Sequence, residues 1–231
     1  MIAVGTSGFN YAEWKGRFYP GDIRPAAMLA YYAERFGTVE INATFYRMPT
    51  RKLVEGWASQ VPPSFSFSLK APRRITHDRR LKDCRDLVRG FCDVASALEG
   101  RLGALLFQLP PNFKCHLDVF DAFLNDLPPR ARVAFEFRHP SWWNDDVYAR
   151  LAARNLALCI ADAETRHTPM VATADFGYLR LRDEGYDAAQ LREWASRVGA
   201  EGKWRDAFVY FKHEDEARGP EFAQAFRSQI T

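Results

Sequence analysis

The sequence predicts a parallel α/β fold that closes into a (β/α)8 barrel of the TIM type, and three observations carry this prediction. Eight short strand-like runs alternate with segments whose apolar residues recur at helical spacing. Most strand runs alternate apolar with polar residues, which gives each strand one apolar and one polar face. The chain has 231 residues, slightly fewer than the roughly 250 of a typical barrel of this kind.

Each predicted strand is a short run rich in β-branched, aromatic and aliphatic residues. The chain contains no low-complexity tract and no Gly/Ser linker, so we expect a single domain over residues 1–231. In chain order the predicted strands are Ile2–Gly5, Thr38–Asn42, Phe65–Lys70, Gly103–Gln108, Arg132–Arg138, Leu156–Asp162, Gly177–Arg182 and Ala207–Lys212.

Most of these strands are followed by a segment with apolar residues three and four apart. The first, with Met28 and Tyr32 on one face, has Pro25 in its first turn. Thr50 is the predicted N-cap of the second, and Gly100 is the predicted stop of the third. The later helical segments are marked by Leu117/Phe120/Leu124, Val147/Leu151, Leu191/Trp194/Val198 and Phe222/Phe226/Ile230.

The sixth unit breaks this alternation. Between Asp162 and Gly177 lie about a dozen residues, Pro169 among them, which is barely enough for a helical crossover. We therefore expect a reduced or irregular sixth connection. A doubly wound open sheet is the alternative fold, but the chain has neither of the glycine-rich phosphate-binding motifs of the common nucleotide-binding folds.

Composition places the chain among ordinary globular proteins. It is 47% hydrophobic and 26% charged, with a formal net charge of +3, which permits an anionic partner without requiring one. No window approaches the roughly 18 apolar residues of a membrane span, and no signal-peptide pattern is visible, so we expect a cytoplasmic protein without membrane contact. The four cysteines lack metal-site spacing, and Cys159 is expected to be buried.

The polar faces of the strands predict a functional cavity. In an antiparallel sandwich such faces would meet water, but the helical segments require parallel crossovers and cover the apolar faces. The polar side chains then point into the barrel, where an unpaired charge is costly. The charges crowd toward the C-terminal ends of the strands, which is where barrels of this type place their sites. A purely structural ion-pair network is the alternative.

Five segments in the first two thirds of the chain form a recognisable series. They are Gly5-Thr6-Ser7-Gly8-Phe9 with Tyr11 and Trp14, Glu40-Ile41-Asn42-Ala43-Thr44-Phe45-Tyr46, Lys70-Ala71-Pro72 with Ile75-Thr76-His77, Leu106-Phe107-Gln108-Leu109-Pro110-Pro111, and Phe135-Glu136-Phe137-Arg138-His139 with Ser141-Trp142. In this order they resemble the YecE-like family, the seventy-second of the catalogued domains of unknown function. The resemblance implies a TIM-type barrel and carries no established activity.

The last third of the chain departs from the family pattern. Where the family usually reads Tyr-x-Arg-x-His-Gly, this chain keeps Arg180 but has Arg182-Asp183 in place of His-Gly. Where the family ends its last strand with paired asparagines, this chain has Lys212-His213. The ligand or the chemistry served by the last two strands is therefore expected to differ here.

Four residues are the predicted catalytic groups. Glu136 is the expected centre of the site, with Glu40 as the second carboxylate, because both lie on the inward faces of their strands. General acid–base chemistry also needs groups that donate a proton or stabilise charge, and Lys70 and His77 are the predicted partners. If Glu136 is structural, its replacement by Gln should destabilise the fold by about 3–5 kcal/mol, because buried cations lose their partner. If it is functional, which is the outcome we expect, the melting temperature should be unchanged or higher.

Cationic and aromatic residues surround these groups. Segment 70–82 carries six Lys and Arg residues, which form either a solvated charge run or part of a positive barrel mouth. Aromatic residues at the rim would suit the stacking of bases or sugars. The predicted substrate-binding residues are Asn42, Tyr46, Gln108, Arg138, His139, Trp142, Arg180, Lys212, Tyr11 and Trp14.

Two classes of function fit this pattern. The first is an enzyme that uses acid–base chemistry on an anionic substrate, such as a phosphate- or carboxylate-bearing metabolite or a nucleotide. The alternative is a non-catalytic protein that binds nucleic acid or a metabolite at the same rim. No cofactor is predicted, and a divalent metal ion is disfavoured because the neighbouring cations would repel it. Substrate, reaction and oligomeric state are left open.

Overall fold

A computed structural model describes residues 1–163, 166–183, 185–213 and 215–230. The strands are β1 (Ile2–Ser7), β2 (Thr38–Ile41), β3 (Ser66–Lys70), β4 (Leu102–Gln108), β5 (Val133–Glu136), β6 (Ala157–Ala163), β7 (Arg166–His167), β8 (Phe176–Leu181) and β9 (Asp206–Phe211). The α-helices are α1 (Met28–Ala33), α2 (Ala43–Tyr46), α3 (Arg51–Ala58), α4 (Arg85–Ala95), α5 (Leu117–Leu124), α6 (Asp145–Ala152), α7 (Ala188–Gly199) and α8 (Arg218–Arg227). None of the helices in these ranges has both the length and the hydropathy that crossing a bilayer requires.

All the strands except β7 form a closed parallel barrel. Around the ring they follow the order β1, β2, β3, β4, β5, β6, β8 and β9. β9 pairs in parallel with β1, where Ala207 lies opposite Ile2, and β5 pairs in parallel with β6, where Ala134 lies opposite Ala157. The predicted (β/α)8 barrel is therefore confirmed, and the open doubly wound sheet is wrong.

The connection after β6 is irregular, as the sequence predicts. The short strand β7 turns back on β6 in antiparallel register, with His167 opposite Asp162. Residues 168–175 then lead into β8 without forming a helix. The buried hydroxyl of Thr173 fastens this segment, since it donates to Leu156 O and accepts from Leu158 N, both at 2.8 Å. Side-chain hydrogen bonds thus hold a segment that lacks a helix to pack on the barrel.

Two predicted helix boundaries have different outcomes. The Thr50 side chain accepts a hydrogen bond from Leu53 N at 3.3 Å, which confirms the predicted N-cap of α3. Gly100 is not the stop of the next helix, because α4 ends at Ala95 and the chain tightens into a 3-10 turn through Arg101. The left-handed residue in that turn is Glu99, with φ of 51°, one position earlier than glycine would predict.

The apolar core has two parts. The larger part lies between the barrel and the helices, and the smaller part fills the inside of the barrel. Inside, large rings on β8 and β9 face small residues on β4, β5 and β6, in place of the branched aliphatic residues that commonly fill such barrels. The predicted burial of Cys159 is confirmed. The inner cluster contains Tyr178, Phe208 and Tyr210 together with Ala104, Ala134 and Cys159.

Candidate active site

The C-terminal ends of the barrel strands bring charged side chains into contact. Glu40 lies on β2, Glu136 on β5 and Arg180 on β8, and each of these residues is at most 1% exposed. Their side chains meet inside the barrel although they come from strands far apart in the chain. The inward orientation that strand alternation predicts for these residues is confirmed.

Arg180 bridges the two carboxylates. Its Nε and Nη2 donate to Glu40 Oε1 at 3.2 and 2.9 Å, and its Nη1 donates to Glu136 Oε2 at 2.5 Å. A buried charge persists only when it is paired and hydrogen-bonded, and each of these three charges meets that condition. We refer to Glu40, Arg180 and Glu136 as the buried triad.

Glu40 is an acceptor whose surroundings hold it ionised. The Ser7 hydroxyl donates to its Oε1 and the Tyr178 hydroxyl donates to its Oε2, the latter at 2.7 Å. Asn42 does not touch Glu40 but donates to Ser7 Oγ at 2.7 Å. Burial by itself would raise the pKa of the Glu40 carboxyl, but Arg180 and these hydrogen bonds hold the pKa below its ordinary value.

Glu136 is held ionised in a similar way. Gln108 Nε2 lies 2.8 Å from both of its carboxylate oxygens, and Arg138 Nε lies 3.9 Å from Oε1. Burial opposes the charge, but the positive charges of Arg180 and Lys70 and the hydrogen bond from Gln108 hold the pKa of Glu136 at about 2. At neutral pH this carboxylate is a charged acceptor with little basicity.

Lys70 differs from the three residues of the buried triad because it has no oppositely charged group at ion-pair distance in the described part of the chain. It is 9% exposed, and within the described part of the chain its Nζ makes no hydrogen bond or ion pair. Its near contact is the face of the Phe45 ring, whose centre lies 4.0 Å from Nζ. Burial, reinforced by Arg180, lowers the pKa of the Lys70 ammonium from 10.5 to about 7, against the opposing effect of Glu136.

His77 lies beside this lysine. Its ring meets Phe45 edge to face at 4.9 Å between centroids, and its Nδ1 lies 2.9 Å from Thr76 Oγ1. Burial and the nearby charges of Lys70 and Arg73 lower the pKa of His77 to about 4. At neutral pH His77 is therefore a neutral imidazole.

The sequence leaves two interpretations of the basic segment 70–82, a solvated charge run and part of a positive barrel mouth, and its residues divide between them. Lys70 alone belongs to the buried mouth, whereas Arg73 pairs with Asp78 at 3.2 Å on the surface. Arg79 donates to the backbone carbonyl of Asp83 at 2.8 Å. Most of the charge run is therefore solvated or internally paired, and one of its members enters the barrel.

The predicted aromatic residues do not gather at the mouth. Trp14 is 1% exposed and packs between Tyr11 and Tyr19, so it belongs to the core. Trp142 is also fully buried, stacked on Phe137 with 4.7 Å between ring centroids. Both rings pack within the loops that follow β1 and β5 and are not available to a ligand at the mouth.

The remaining predicted residues lie at the rim. Tyr46 is 77% exposed, and the hydroxyl of half-buried Tyr11 donates to Ser7 O at 2.8 Å. His139 is used locally, because its Nδ1 accepts from Ser141 N at 3.1 Å and caps the following turn. Lys212 follows β9 and lies near enough to Lys70 to lower the pKa of Lys70.

Strand alternation also points to two site residues outside the predicted set. Ser7 stands two residues beyond Gly5 on β1, and Tyr178 stands two residues before Arg180 on β8. Both therefore face inward, and both hydrogen-bond to Glu40. Their uncharged hydroxyls make them inconspicuous in a sequence in which charge is the clearest sign of a site.

The donor set of the mouth does not resemble a metal centre. Among residues 1–163, 166–183, 185–213 and 215–230, no three His, Cys, Asp or Glu side chains converge as metal ligands do. Arg180 lies between the two mouth carboxylates. Asp162, a further acidic residue of the strand ends, faces the helices instead, where its Oδ2 accepts from Tyr186 at 2.6 Å and Trp194 at 3.2 Å.

Comparison with known proteins assigns the family. The model of DUF72, described as a protein of unknown function, matches residues 3–231. The chain belongs to the DUF72 family. The resemblance that the five sequence motifs indicate is thereby confirmed.

Relatives of this DUF72 member are found among both sequences and structures. It is 36% identical over 145 residues to the UPF0759 protein YecE of Escherichia coli K12, a match that covers 62% of this chain and 50% of that protein. It is 27% identical over 160 residues to the UPF0759 protein YunF of Bacillus subtilis, covering 64% of this chain and 54% of that protein. The chain thus spans about half the length of the curated relatives it matches.

Two solved DUF72 structures share the barrel fold. A DUF72 family protein from Thermotoga maritima superposes with a TM-score of 0.82 at 25% identity, over 100% of this chain and 99% of that one. A DUF72 family protein from Enterococcus faecalis has a TM-score of 0.81 at 19% identity, over 100% of this chain and 95% of that one.

Proposed function

We propose that this DUF72 member is an enzyme that acts on a small anionic substrate by acid–base chemistry, with the amine of Lys70 as its proton-accepting group. The observation that carries the proposal is the state of Lys70, a nine-tenths buried amine at the barrel mouth without a hydrogen bond or ion pair among the described residues. Lys70 Nζ is not among the fully buried polar atoms that lack a partner, so a ligand at the mouth can reach the amine and supply the acceptor that the chain does not.

The protonation state of Lys70 supports a role as a base. A general base works best when its pKa lies near the working pH, and the pKa of Lys70 is lowered to about 7 by burial and by Arg180. His77, whose pKa is lowered to about 4, is a neutral imidazole that could accept or pass on a proton beside it.

The two carboxylates take a positioning role in this proposal. Glu40 accepts hydrogen bonds from Ser7, Tyr178 and Arg180, so its lone pairs are occupied. Glu136 has a pKa of about 2 and is bound by Arg180 and Gln108. Neither group is suited to accept a proton at neutral pH, and together they fix Arg180 beneath the substrate.

The charges at the mouth support an anionic substrate. The inward positions of the strand ends carry several cations around the two carboxylates of the buried triad. Arg182, on the same face of its strand as Arg180, is close enough to Glu136 to lower the pKa of that carboxyl. Guanidinium and ammonium groups in such an arrangement suit a phosphate or a carboxylate. The cations are Lys70, Arg138, Arg180, Arg182 and Lys212.

The cytoplasmic location and the single-domain organisation belong to the same proposal. All four cysteines, Cys84, Cys92, Cys115 and Cys159, are free thiols, which agrees with a reducing compartment. A cytoplasmic enzyme would meet the phosphorylated and carboxylated metabolites that the mouth favours.

The proposal is tested by substrate depletion. The full chain is incubated at neutral pH with a metabolite extract, and the extract is compared by mass spectrometry with one treated with Lys70→Met. We expect at least one anionic compound to be consumed by the wild type and not by Lys70→Met. Lys82→Met is the matched control, because Lys82 is an exposed lysine of the same loop and its loss should change nothing.

A non-catalytic role would give a different result. If no compound changes, and single-stranded nucleic acid is instead retained with an affinity that falls steeply as salt is added, the protein is a binder and the enzyme proposal is wrong. A small-molecule pocket should respond to salt much less than an extended nucleic-acid surface.

A further inference from the structure

We propose that Lys70 is a covalent catalyst, which attacks the carbonyl carbon of an aldehyde or ketone that also carries an anionic group and holds it as an imine. The inference rests on the proposed function, since it places the anionic substrate at the same mouth. It adds the substrate class and the reactive intermediate, and it replaces proton acceptance by the Lys70 amine with attack on carbon, because both would use the same lone pair. The substrate would be an oxo acid or a phosphorylated carbonyl compound.

The backbone holds the attacking nitrogen in a defined place. Lys70 ends β3, its carbonyl accepts from Thr44 Oγ1 at 2.6 Å, and the next residue, Ala71, donates its N–H to Leu106 O at 2.8 Å. Its side chain lies along the Phe45 ring with Nζ 4.0 Å above the ring centre. A nucleophile needs this rigid mounting if a bound carbonyl is to meet it in reactive geometry.

The lone pair of the nitrogen is not engaged by other groups. Within the described ranges Nζ has neither a hydrogen-bond acceptor nor a carboxylate within ion-pair distance. The lowered pKa of about 7, caused by burial and Arg180, leaves a large share of the amine neutral at physiological pH. A desolvated lysine beside another cation is a recognised way of activating this nucleophile.

The step balances without any further reagent. The amine lone pair forms the nitrogen–carbon bond while the carbonyl π electrons move to oxygen, which gives a carbinolamine after proton transfer from nitrogen to oxygen. The carbon–oxygen bond then breaks and water leaves with both protons that the amine carried. The imine nitrogen can take up one proton from solvent, and nothing is oxidised or reduced.

The surroundings of Lys70 favour the resulting iminium cation over the original ammonium. Glu136 and Glu40 favour positive charge at this position, since both raise the pKa of Lys70 against the effect of burial. The face of the Phe45 ring also attracts a cation. Burial penalises a compact, strongly hydrated ammonium most, so a cation with its charge spread over carbon loses less.

Arg182 is the residue that would bind the anionic group. Arg182 lies near Glu136, as Lys70 does, because the positive charge of each residue lowers the pKa of the Glu136 carboxyl. Its half-buried side chain makes no ion pair or hydrogen bond in the described part of the chain. Arg182 also stands where the family pattern has histidine, so this chain would recognise the anionic group with a guanidinium of its own.

Reductive trapping tests the imine directly. The full chain is treated at pH 7 with glyoxylate, a small aldehyde that carries a carboxylate, in the presence of cyanoborohydride, and the seven lysines are compared by peptide mass mapping. Lys70 should be alkylated roughly tenfold or more faster than exposed Lys82, because a pKa of about 7 leaves much of the Lys70 amine neutral at this pH. In Lys70→Arg the adduct at this position should disappear while the Lys82 adduct persists.

Uncharged acetaldehyde provides the matched comparison for the anionic group. Arg182→Gln should slow the reaction of glyoxylate at Lys70 several-fold and leave the reaction of acetaldehyde unchanged. Equal slowing of both aldehydes, or of neither, would overturn the assignment of Arg182.

Titration with inorganic phosphate separates this inference from the proposed function. If phosphate binds to the wild type and Lys70 is nevertheless alkylated no faster than Lys82, the imine is wrong and the anion site stands. If phosphate neither binds nor protects Lys70, and no preferential alkylation occurs, both proposals are wrong. Preferential alkylation that phosphate suppresses supports both.

Discussion

Arg180 is the residue on which the charges of the barrel mouth depend. Its guanidinium reaches Glu40 through Nε and Nη2 and reaches Glu136 through Nη1. A lysine here would offer one point charge and could not hold both carboxylates in a fixed geometry. Removal of either carboxylate leaves part of a buried cation without its counter-charge, and this is the costly way to break a buried ion pair.

Glu136→Gln should therefore destabilise the fold by about 3–5 kcal/mol, measured by urea unfolding at neutral pH. This is the reverse of the expectation from sequence, because the 2.5 Å contact of Glu136 with Arg180 gives the carboxylate a structural partner. Glu34→Gln is the control, since Glu34 is 70% exposed beside Arg35 and its change should stay within about 0.5 kcal/mol. An unchanged or higher stability of Glu136→Gln would show that the triad is not needed for folding.

Lys70→Met should stabilise the fold at neutral pH and lose this benefit as the pH rises. The folded chain binds the Lys70 proton with a pKa of about 7, against an ordinary lysine value of 10.5 in the unfolded chain, so the cost of burying the ammonium is complete at and below pH 7. That cost fades as the pH rises toward 10.5, where the unfolded chain also loses the proton. At roughly 1.4 kcal/mol per pKa unit, the gain at pH 7 is at most about 4–5 kcal/mol.

Melting temperatures of the wild type and of Lys70→Met, recorded from about pH 6 to about pH 10, measure this difference. Lys82→Met should show little change in melting temperature at any pH, because Lys82 is exposed. A Lys70→Met variant that melts below the wild type at pH 7 would mean that the amine has a stabilising partner.

At the scale of elements, β1 and β2 pack closely against each other at Gly5. A Cβ on Gly5 would lie 2.1 Å from Thr38 O and 2.9 Å from the Tyr32 hydroxyl oxygen, a space only glycine fits. Gly56, inside α3, has nothing within 4 Å of the same position.

Gly5→Ala should consequently lower the free energy of unfolding by about 2 kcal/mol or more, because the two strands must separate. Gly56→Ala should raise it by about 0.5–1 kcal/mol, since alanine restricts the unfolded chain and favours the helix. Denaturant titrations of the two variants give the comparison. Equal effects of the two substitutions would contradict the close packing of β1 against β2.

The irregular sixth connection is anchored by one buried carboxylate. Asp162, at the end of β6, lies 2.5 Å from His167 Nδ1 and accepts from the Tyr186 hydroxyl and from Trp194 on α7. These contacts tie β7, the segment before α7 and α7 itself to the barrel. A buried carboxylate that accepts several hydrogen bonds thus takes the place of the packed helix that the other crossovers provide.

At the scale of the whole molecule, the buried triad connects β2, β5 and β8 across the barrel and should govern its acid unfolding. The folded pKa values of Glu136, about 2, and of Glu40 lie below the ordinary value of 4.5. The stability that these groups confer is therefore present above about pH 4.5 and is lost as the pH falls toward 2. For Glu136 alone this amounts to roughly 3 kcal/mol.

Denaturant unfolding of the wild type should show that the free energy of unfolding falls as the pH is lowered from the ordinary carboxyl pKa of 4.5 to the folded Glu136 pKa of about 2. The same series on Glu136→Gln should fall less steeply, because the variant has no carboxyl to protonate at this position. Parallel curves for the two proteins would mean that other acidic groups govern acid unfolding.

Much of the barrel could be predicted from local patterns. Strand length, helical spacing and the alternation of polar residues are short-range properties, and they predict the eight barrel strands and the inward faces of Glu40, Lys70, Glu136 and Arg180. The Thr50 cap follows from a local rule and is confirmed, whereas Gly100 fails because the turn before β4 is tighter than the glycine suggests. Trp14 and Trp142 fail as rim residues because their burial depends on how the loops fold back.

The sequence by itself determined the fold class, the irregular sixth connection and the set of side chains that enter the barrel, because periodicity and chain length suffice for these. Only the tertiary structure decided which charges are paired. Glu40 and Arg180 are 140 residues apart in the chain, and Glu136 and Arg180 are 44 apart, so no local pattern reveals their contacts. The protonation of each group depends on those distances and on burial. For that reason only the structure shows that the pKa values of the two glutamates are lowered by Arg180 and that burial lowers the pKa of Lys70.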